Sequence, residues 1–372
     1  MDIRRWTVAL LLVAALGGCA TNEPMVAAPP PPPPPPPSPV EVPEPAEEEF
    51  TLVPTFFATD RDYYQGRAPN DVFGTRRDTL RYGVAMVSIP RDHRMGDMER
   101  PFFIFRENPT RHVVLRSADV MSPEIFFQQL SDQVRASNGH NALVFVHGYN
   151  VTFPEAARRT AQMAYDLGFD GAPVFYSWPS AGSFQGYGAD AESVEWSQAN
   201  MERFLVDFFR RSGAENVYVI AHSMGNRAVT RAIVNAARQE PAIRGRLKQV
   251  VLAAPDIDAA TFREQLAPAL VEMGAPVTLY ASSNDKALGV AQQLYGGYPR
   301  AGQSGDGLVI VRGIDTIDAS NVDTGFLGHS YYADEGSILS DMFYMFRGMR
   351  PEARAMLVQR SKPAGHYWAF KP

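Results

Sequence analysis

The sequence predicts an α/β fold: a mostly parallel central sheet with helices on both faces, opened by antiparallel strands. Three observations point there. Beyond Asn141, short uninterrupted apolar runs at 143–146, 174–176, 216–220, 249–253 and 277–280 alternate with helical patterns, the mark of parallel strands buried on both faces. Between residues 50 and 117 the apolar runs are separated by turn residues alone, which suits an antiparallel start. The five residues Ala221-His222-Ser223-Met224-Gly225 join a β-branched run directly to a helical one, so they read as a strand, a tight turn and a helix. A length of 372 residues leaves room for two average domains or one large α/β domain, and 45 % apolar residues provide for a substantial core.

The elements follow in order. Residues 1–19 combine Arg4 and Arg5, an apolar stretch from Trp6 to Leu16, and the ending Leu16-Gly17-Gly18-Cys19. The stretch is too short to span a bilayer and fits a secretory signal peptide. Its ending resembles the bacterial lipobox, which implies a mature chain that begins at a lipidated Cys19 and is anchored in the cell envelope. Ala20 after the cysteine resembles lipoproteins sorted to the outer rather than the inner membrane. Several acyl chains hold a protein durably where one does not. Cys19 is the only cysteine, so the body contains no disulfide.

Residues 20–50 form a Pro/Glu-rich tether. In polyproline II its segment from Pro29 to Pro39 would extend roughly 34 Å. Six acids and no basic residue fall between Ala20 and Phe50, and the first 19 residues carry one net positive charge. The body from Thr51 on therefore holds about one of the chain's six negative charges. A nearly neutral body argues against a nucleic-acid partner.

Residues 51–372 read as a single domain with a core from about 80 to 345. Strands are expected at 51–58, 80–89, 102–105 and 113–115, with Arg61-Asp62, Asn70-Asp71 and residues 90–93 as turns. Ser122 as N-cap and Pro123 as first residue open a helix that reaches about 136. Further helices are expected at 155–167, 191–211, 226–238 and 259–270. There is no internal repeat and no apolar run long enough to cross a membrane.

In an open α/β sheet, ligands bind beyond the C-terminal strand ends, and polar residues collect there in this chain: His147 to Asn150, Ser177 to Ser180, Ser223, Asp256 and Asp258, and Asp285. A tight turn lifts the Ser223 hydroxyl clear of its strand and frees the backbone N–H of Met224 to hold an oxyanion. Gly148 permits close backbone approach, so that the N–H of Tyr149 can join it. A serine nucleophile needs a base and an orienting carboxylate, and on an elbow of this kind they follow it in the order acid, then histidine. Of the seven histidines this leaves His329, in the small-residue loop 325–331, or His366, whose Lys- and Pro-flanked tail suits a surface position. His147 and His222 precede or adjoin the serine and read as packed neighbours. The acid is Asp285, after the penultimate strand, or Asp256, one strand earlier; Asp256 or Asp258 could instead cap the following helix. No cofactor is implied. Histidine pairs with metal-ligand spacing are absent, the segment 315–323 lacks the glycine and glutamate of a calcium loop, and no phosphate-binding glycine loop follows a strand.

Val144-Phe145-Val146-His147-Gly148-Tyr149-Asn150, Tyr176-Ser177-Trp178-Pro179-Ser180, Ala221-His222-Ser223-Met224-Gly225, Ala254-Pro255-Asp256, Asn284-Asp285-Lys286-Ala287-Leu288 and Gly328-His329 together resemble a bacterial family of α/β-hydrolase proteins. Its members are described as esterase- or lipase-like, and much of the family is of unknown function. The resemblance runs from about 80 to 345. It implies an α/β-hydrolase fold and a serine hydrolase acting on small-molecule or lipid esters, with Ser223 as nucleophile, Asp285 preferred over Asp256 as acid, and His329 as base. Ala221 departs from the usual glycine. The same constellation serves a thioesterase or amidase. The alanine and the tether also suit a surface binding protein that keeps the fold without turnover.

Overall fold

A computed structural model describes residues 49–102, 106–322 and 338–371. The signal segment with Cys19, nearly all of the tether, residues 103–105 and His329 lie outside the described residues. Among those described, eleven strands make one sheet: β1 (Phe50–Tyr63), β2 (Phe73–Pro90), β3 (Val114–Met121), β4 (Asn141–Val146), β5 (Ala172–Ser177), β6 (Asn216–His222), β7 (Leu247–Ala253), β8 (Val277–Ala281), β9 (Ile314–Asp318), β10 (Leu357–Lys362) and β11 (Gly365–Phe370). Their spatial order is β10-β11-β9-β8-β7-β6-β4-β5-β1-β2-β3. Pairing is antiparallel from β1 to β2 to β3 and between β10 and β11, and parallel throughout the middle.

The helices cover both faces. On one, α1 (Pro123–Ala136) contributes Phe126 and Leu130 to a buried cluster with residues of the two long helices α3 (Tyr187–Arg211) and α4 (Gly225–Gln239). On the other, α2 (Phe153–Asp166) packs Phe153, Ala157 and Ala161 with Leu339 and Met342 of the helix Ile338–Met345. Both starts are written locally. The Ser122 side chain accepts from the Ile125 N–H ahead of Pro123, and Thr152 with Glu155 forms a reciprocal capping box.

Several elements differ from the sequence expectation. Arg61, expected in a turn, lies within β1 and is 1 % exposed. The expected strand at 102–105 is absent at its described end, where Phe102 stands exposed in irregular chain. The expected helix at 259–270 is a succession of the short turn Ala259–Thr261, a π-helical turn Phe262–Leu266 and Ala267–Glu272. Pro268 opens the last piece because, without an N–H, it tolerates only a first turn. β2 starts at Phe73, earlier than its apolar run, since Arg76, Arg77 and Asp78 sit on an extension paired with β1.

From β4 the chain goes through α2 to β5 on one side, and from β6 through α4 to β7 on the other. The C-terminal ends of β4 and β6 therefore flank the point where the winding reverses, the place where open α/β sheets bind ligands.

Candidate active site

Ser223 follows β6 directly and has φ +46°, a left-handed conformation that a non-glycine residue adopts only when its surroundings impose it. Its N–H donates to Ala253 O at 2.9 Å, and its carbonyl accepts from Asn226 at 3.1 Å and Asp256 at 3.2 Å. The helix α4 starts two residues on, at Gly225. A side chain there would put a carbon 2.3 Å from the His147 carbonyl oxygen, so only glycine lets the loops after β4 and β6 meet. A carbon on Gly148 would lie 3.0 Å from Cβ of Ser223 and 2.8 Å from Nδ1 of His222. Ala221 is the fully buried penultimate residue of β6, paired with Val146 and Leu252, so the core absorbs its methyl group.

Four non-glycine residues have positive φ among those described, and three of them, Asn150, Ser223 and Ala254, follow the C-terminal ends of β4, β6 and β7. Each such residue stores on the order of 1–3 kcal/mol, and such strain gathers where function requires a fixed backbone. The loop from Gly148 to Thr152 is held accordingly. Asp190 accepts from the Asn150 N–H at 3.1 Å and the Ala181 N–H at 2.6 Å, and Ser180 Oγ bridges Asp190 to the Val151 N–H. The N–H groups of Tyr149 and Met224 donate to no described residue.

Neither neighbouring histidine is built as a base. His147 is 1 % exposed, stacks on Trp178 with centroids 4.9 Å apart, and lies 2.8 Å through Nδ1 from Gly148 O and 3.2 Å through Nε2 from Ser177 Oγ. Burial, and then the Arg61 charge, hold it well below the ordinary histidine range. Burial also pushes His222 down to about 3, with Arg159 adding to the effect.

The two candidate acids differ sharply. Asp256 is buried with both oxygens engaged: Oδ1 accepts from Arg300 Nε at 2.8 Å, and Oδ2 from the Tyr187 hydroxyl at 2.6 Å and from Arg227 at 3.0 Å. Three donors thus take up most of the acceptor capacity of the carboxylate. Asp285 is half-buried and accepts from the Leu288 N–H at 3.0 Å as N-cap of the helix Lys286–Leu294. Burial raises its pKa, with a smaller contribution from the Asp256 charge. Asp258 caps the turn Ala259–Thr261 through the Thr261 N–H at 2.8 Å.

The segments 181–190 and 295–307 meet where the Tyr187 and Tyr295 rings stand 6.0 Å apart; Tyr187 also packs edge-on against Tyr149 at 5.2 Å. A polar cavity of about 450 Å³ adjoins the rim, lined by residues including Asn70, Glu107, Asn150 and Arg158 but not Ser223. Among the described residues no cluster could hold a metal ion, and no helix is long and apolar enough to cross a membrane. The sequence reading missed Arg61, Asp190 and Arg300. Only Arg61 left a trace, as a charge directly after the apolar part of a strand.

Residues 123–345 match the family described as "Alpha/beta hydrolase of unknown function (DUF900)". The chain belongs to that family. The fold is that of the α/β hydrolases, with a large mostly parallel sheet and antiparallel strands at its edge. Solved structures with similarity to it include a predicted CIB-like hydrolase from Thermoplasma acidophilum (12 % identity, 64 % of this chain and 93 % of that one, TM-score 0.33). Others are lipase B of Aspergillus fumigatus (14 %, 49 % and 44 %, 0.28) and carboxylesterase CesB of Bacillus subtilis (13 %, 52 % and 90 %, 0.25). No curated protein sequence matches the chain.

Proposed function

We propose that this α/β hydrolase cleaves carboxylic esters through an acyl-enzyme on Ser223. The observation that carries the reading is the left-handed turn at Ser223, set at the reversal point of the sheet against Gly148. In the reaction His329 takes the Ser223 proton as Oγ attacks the ester carbonyl, and the N–H groups of Met224 and Tyr149 hold the oxyanion. The protonated His329 then gives its proton to the leaving alcohol, and water releases the acyl group by the same steps. The assignment of His329 rests on its order in the chain and its small-residue loop. That of Asp285 rests on its place after β8 and on the engagement of Asp256 by Arg300, Tyr187 and Arg227.

Ser223→Ala is expected to abolish hydrolysis of a short p-nitrophenyl ester, a loss of roughly 10⁴-fold or more, with a thermal melt close to the parent's. Equal turnover by the two proteins would end the assignment, and failure of a fluorophosphonate probe to label the parent would favour a non-catalytic surface protein. The Cys19 anchor is proposed on the lipobox-like ending alone. Partition of the wild-type protein, but not Cys19→Ser, into detergent and membrane fractions is the expected result.

A further inference from the structure

We propose that Arg61 and His147 are positioning residues that aim the Tyr149 N–H at the reacting carbonyl: Arg61 decides which ring nitrogen of His147 carries the proton, and His147 holds the Gly148 carbonyl. The inference rests on the reading of Ser223 as an acyl-transfer nucleophile.

Arg61 comes from β1, two strands away from β4, and its guanidinium reaches under the loops after β4 and β5. Nε donates to Ser177 Oγ at 2.8 Å, one terminal nitrogen to the carbonyls of Gly74 and Ser180 at 3.0 Å each, and the other to Val151 O at 2.7 Å. That last nitrogen lies 3.5 Å from Nε2 of His147. A guanidinium only donates, so the ring nitrogen facing it must be bare. Ser177 Oγ already accepts from Arg61, and turns its own proton to the same Nε2 at 3.2 Å. The single proton of the neutral ring is thereby placed on Nδ1, opposite the Gly148 carbonyl at 2.8 Å. The other tautomer would set an N–H against the guanidinium and a bare nitrogen against a carbonyl oxygen.

The Gly148 carbonyl and the Tyr149 N–H belong to one peptide unit, and in a trans peptide they point in opposite directions. Holding the carbonyl toward His147 sends the N–H to the far side, where it meets no described acceptor. Asp190 fixes the next unit through the Asn150 N–H. A donor held in place before the reaction stabilises a developing oxyanion far more than one that must first turn.

The test compares His147→Leu, which removes the ring donor, with His147→Asn, whose amide N–H reaches about as far as Nδ1. Turnover of a p-nitrophenyl ester is measured beside inhibition by a trifluoromethyl ketone, whose adduct with the serine carries the oxyanion. His147→Leu is expected to lower kcat about 100-fold with KM within about threefold, and to weaken the ketone by a similar factor. His147→Asn should recover at least about tenfold of both. Nitrogen-15 shifts of the His147 ring should report the Nδ1–H form in the parent and a change of tautomer in Arg61→Met. Since Arg61→Met strips donors from four groups and risks misfolding, the two His147 variants decide. Unchanged kcat in His147→Leu, a loss that His147→Asn does not recover, or an Nε2–H ring in the parent overturns the proposal. A parent that the ketone does not inhibit overturns the Ser223 reading, and this proposal with it.

Discussion

Two histidines with buried side chains, His147 at the rim of the sheet and His93 on its flank, meet opposite electrostatic conditions. At the rim, burial and the Arg61 charge keep His147 neutral. On the flank, after β2, burial by itself would lower His93, but Asp166 at 2.8 Å from Nε2 and Glu99 at 2.8 Å from Nδ1 more than offset it and push it up to about 9. His93 is thus a cation clamped between two carboxylates, and it fastens the segment after β2 to the end of α2; Gly96 N–H adds a bond to the same Asp166 at 2.7 Å. The difference teaches what each region is for. A neutral ring with one proton aims a dipole, whereas a charged ring welds two pieces of chain. Rim substitutions should therefore cost activity before stability, and flank substitutions the reverse.

The largest effect expected is at the rim. Gly225→Ala forces a carbon to within 2.3 Å of the His147 carbonyl, so the elbow and the loop after β4 must part. Ester turnover should fall by roughly 100-fold or more, beyond any change in the melting curve, because the Tyr149 N–H, proposed as an oxyanion donor, moves with that loop away from Met224. Retained turnover would erase the contrast between the regions.

On the flank, His93→Gln leaves Asp166 and Glu99 facing each other without their cation. Urea denaturation near pH 6 should show a loss of about 3 kcal/mol with kcat nearly unchanged. The pH dependence sharpens this. The folded pKa of His93 is raised above its unfolded value of 6.5, so its stabilisation, on the order of 3 kcal/mol, is complete below pH 6.5 and lost as pH rises through about 9. The gap between parent and His93→Gln should close over that window. His147 and His222 act in the opposite sense: their folded pKa values are depressed, the unfolded chain binds more protons below pH 6.5, and stability falls as pH drops from there. The joint contribution of these three histidines is greatest near pH 6.5, and a parent profile that runs parallel to that of His93→Gln from pH 6 to pH 10 would contradict the His93 shift. The smallest effect belongs to Ala221→Gly, which restores the usual motif but removes a buried methyl from a strand: about 1 kcal/mol of stability lost and little change in turnover.

The fold was legible where one physical signal dominated. The apolar runs of β4 to β8 are buried on both faces and needed no tertiary information, and the elbow pentapeptide announces its turn through small residues. Legibility failed where burial depends on partners distant in sequence. Arg61 looks like a turn residue because nothing local says that its guanidinium will find four acceptors more than ten residues away. β9 and the β10–β11 hairpin escaped because β9 carries Asp315, Thr316 and Asp318, and β10 carries Gln359 to Lys362, so that neither reads as an apolar run until it is paired in the sheet. Phe102 shows the converse: its aromatic run suggests a strand, yet its described end stands exposed in irregular chain.

The carboxylate of Asp256 gathers Tyr187 from the first turn of α3, Arg227 from α4 and Arg300 from the segment that follows Tyr295. A substitution at Asp256 would therefore loosen three separate segments of chain at once. Because the Asp256 N–H donates to Ser223 O, loop grafts between Tyr187 and Arg300 would keep Ser223 in register only if all three partners of that acid were carried along.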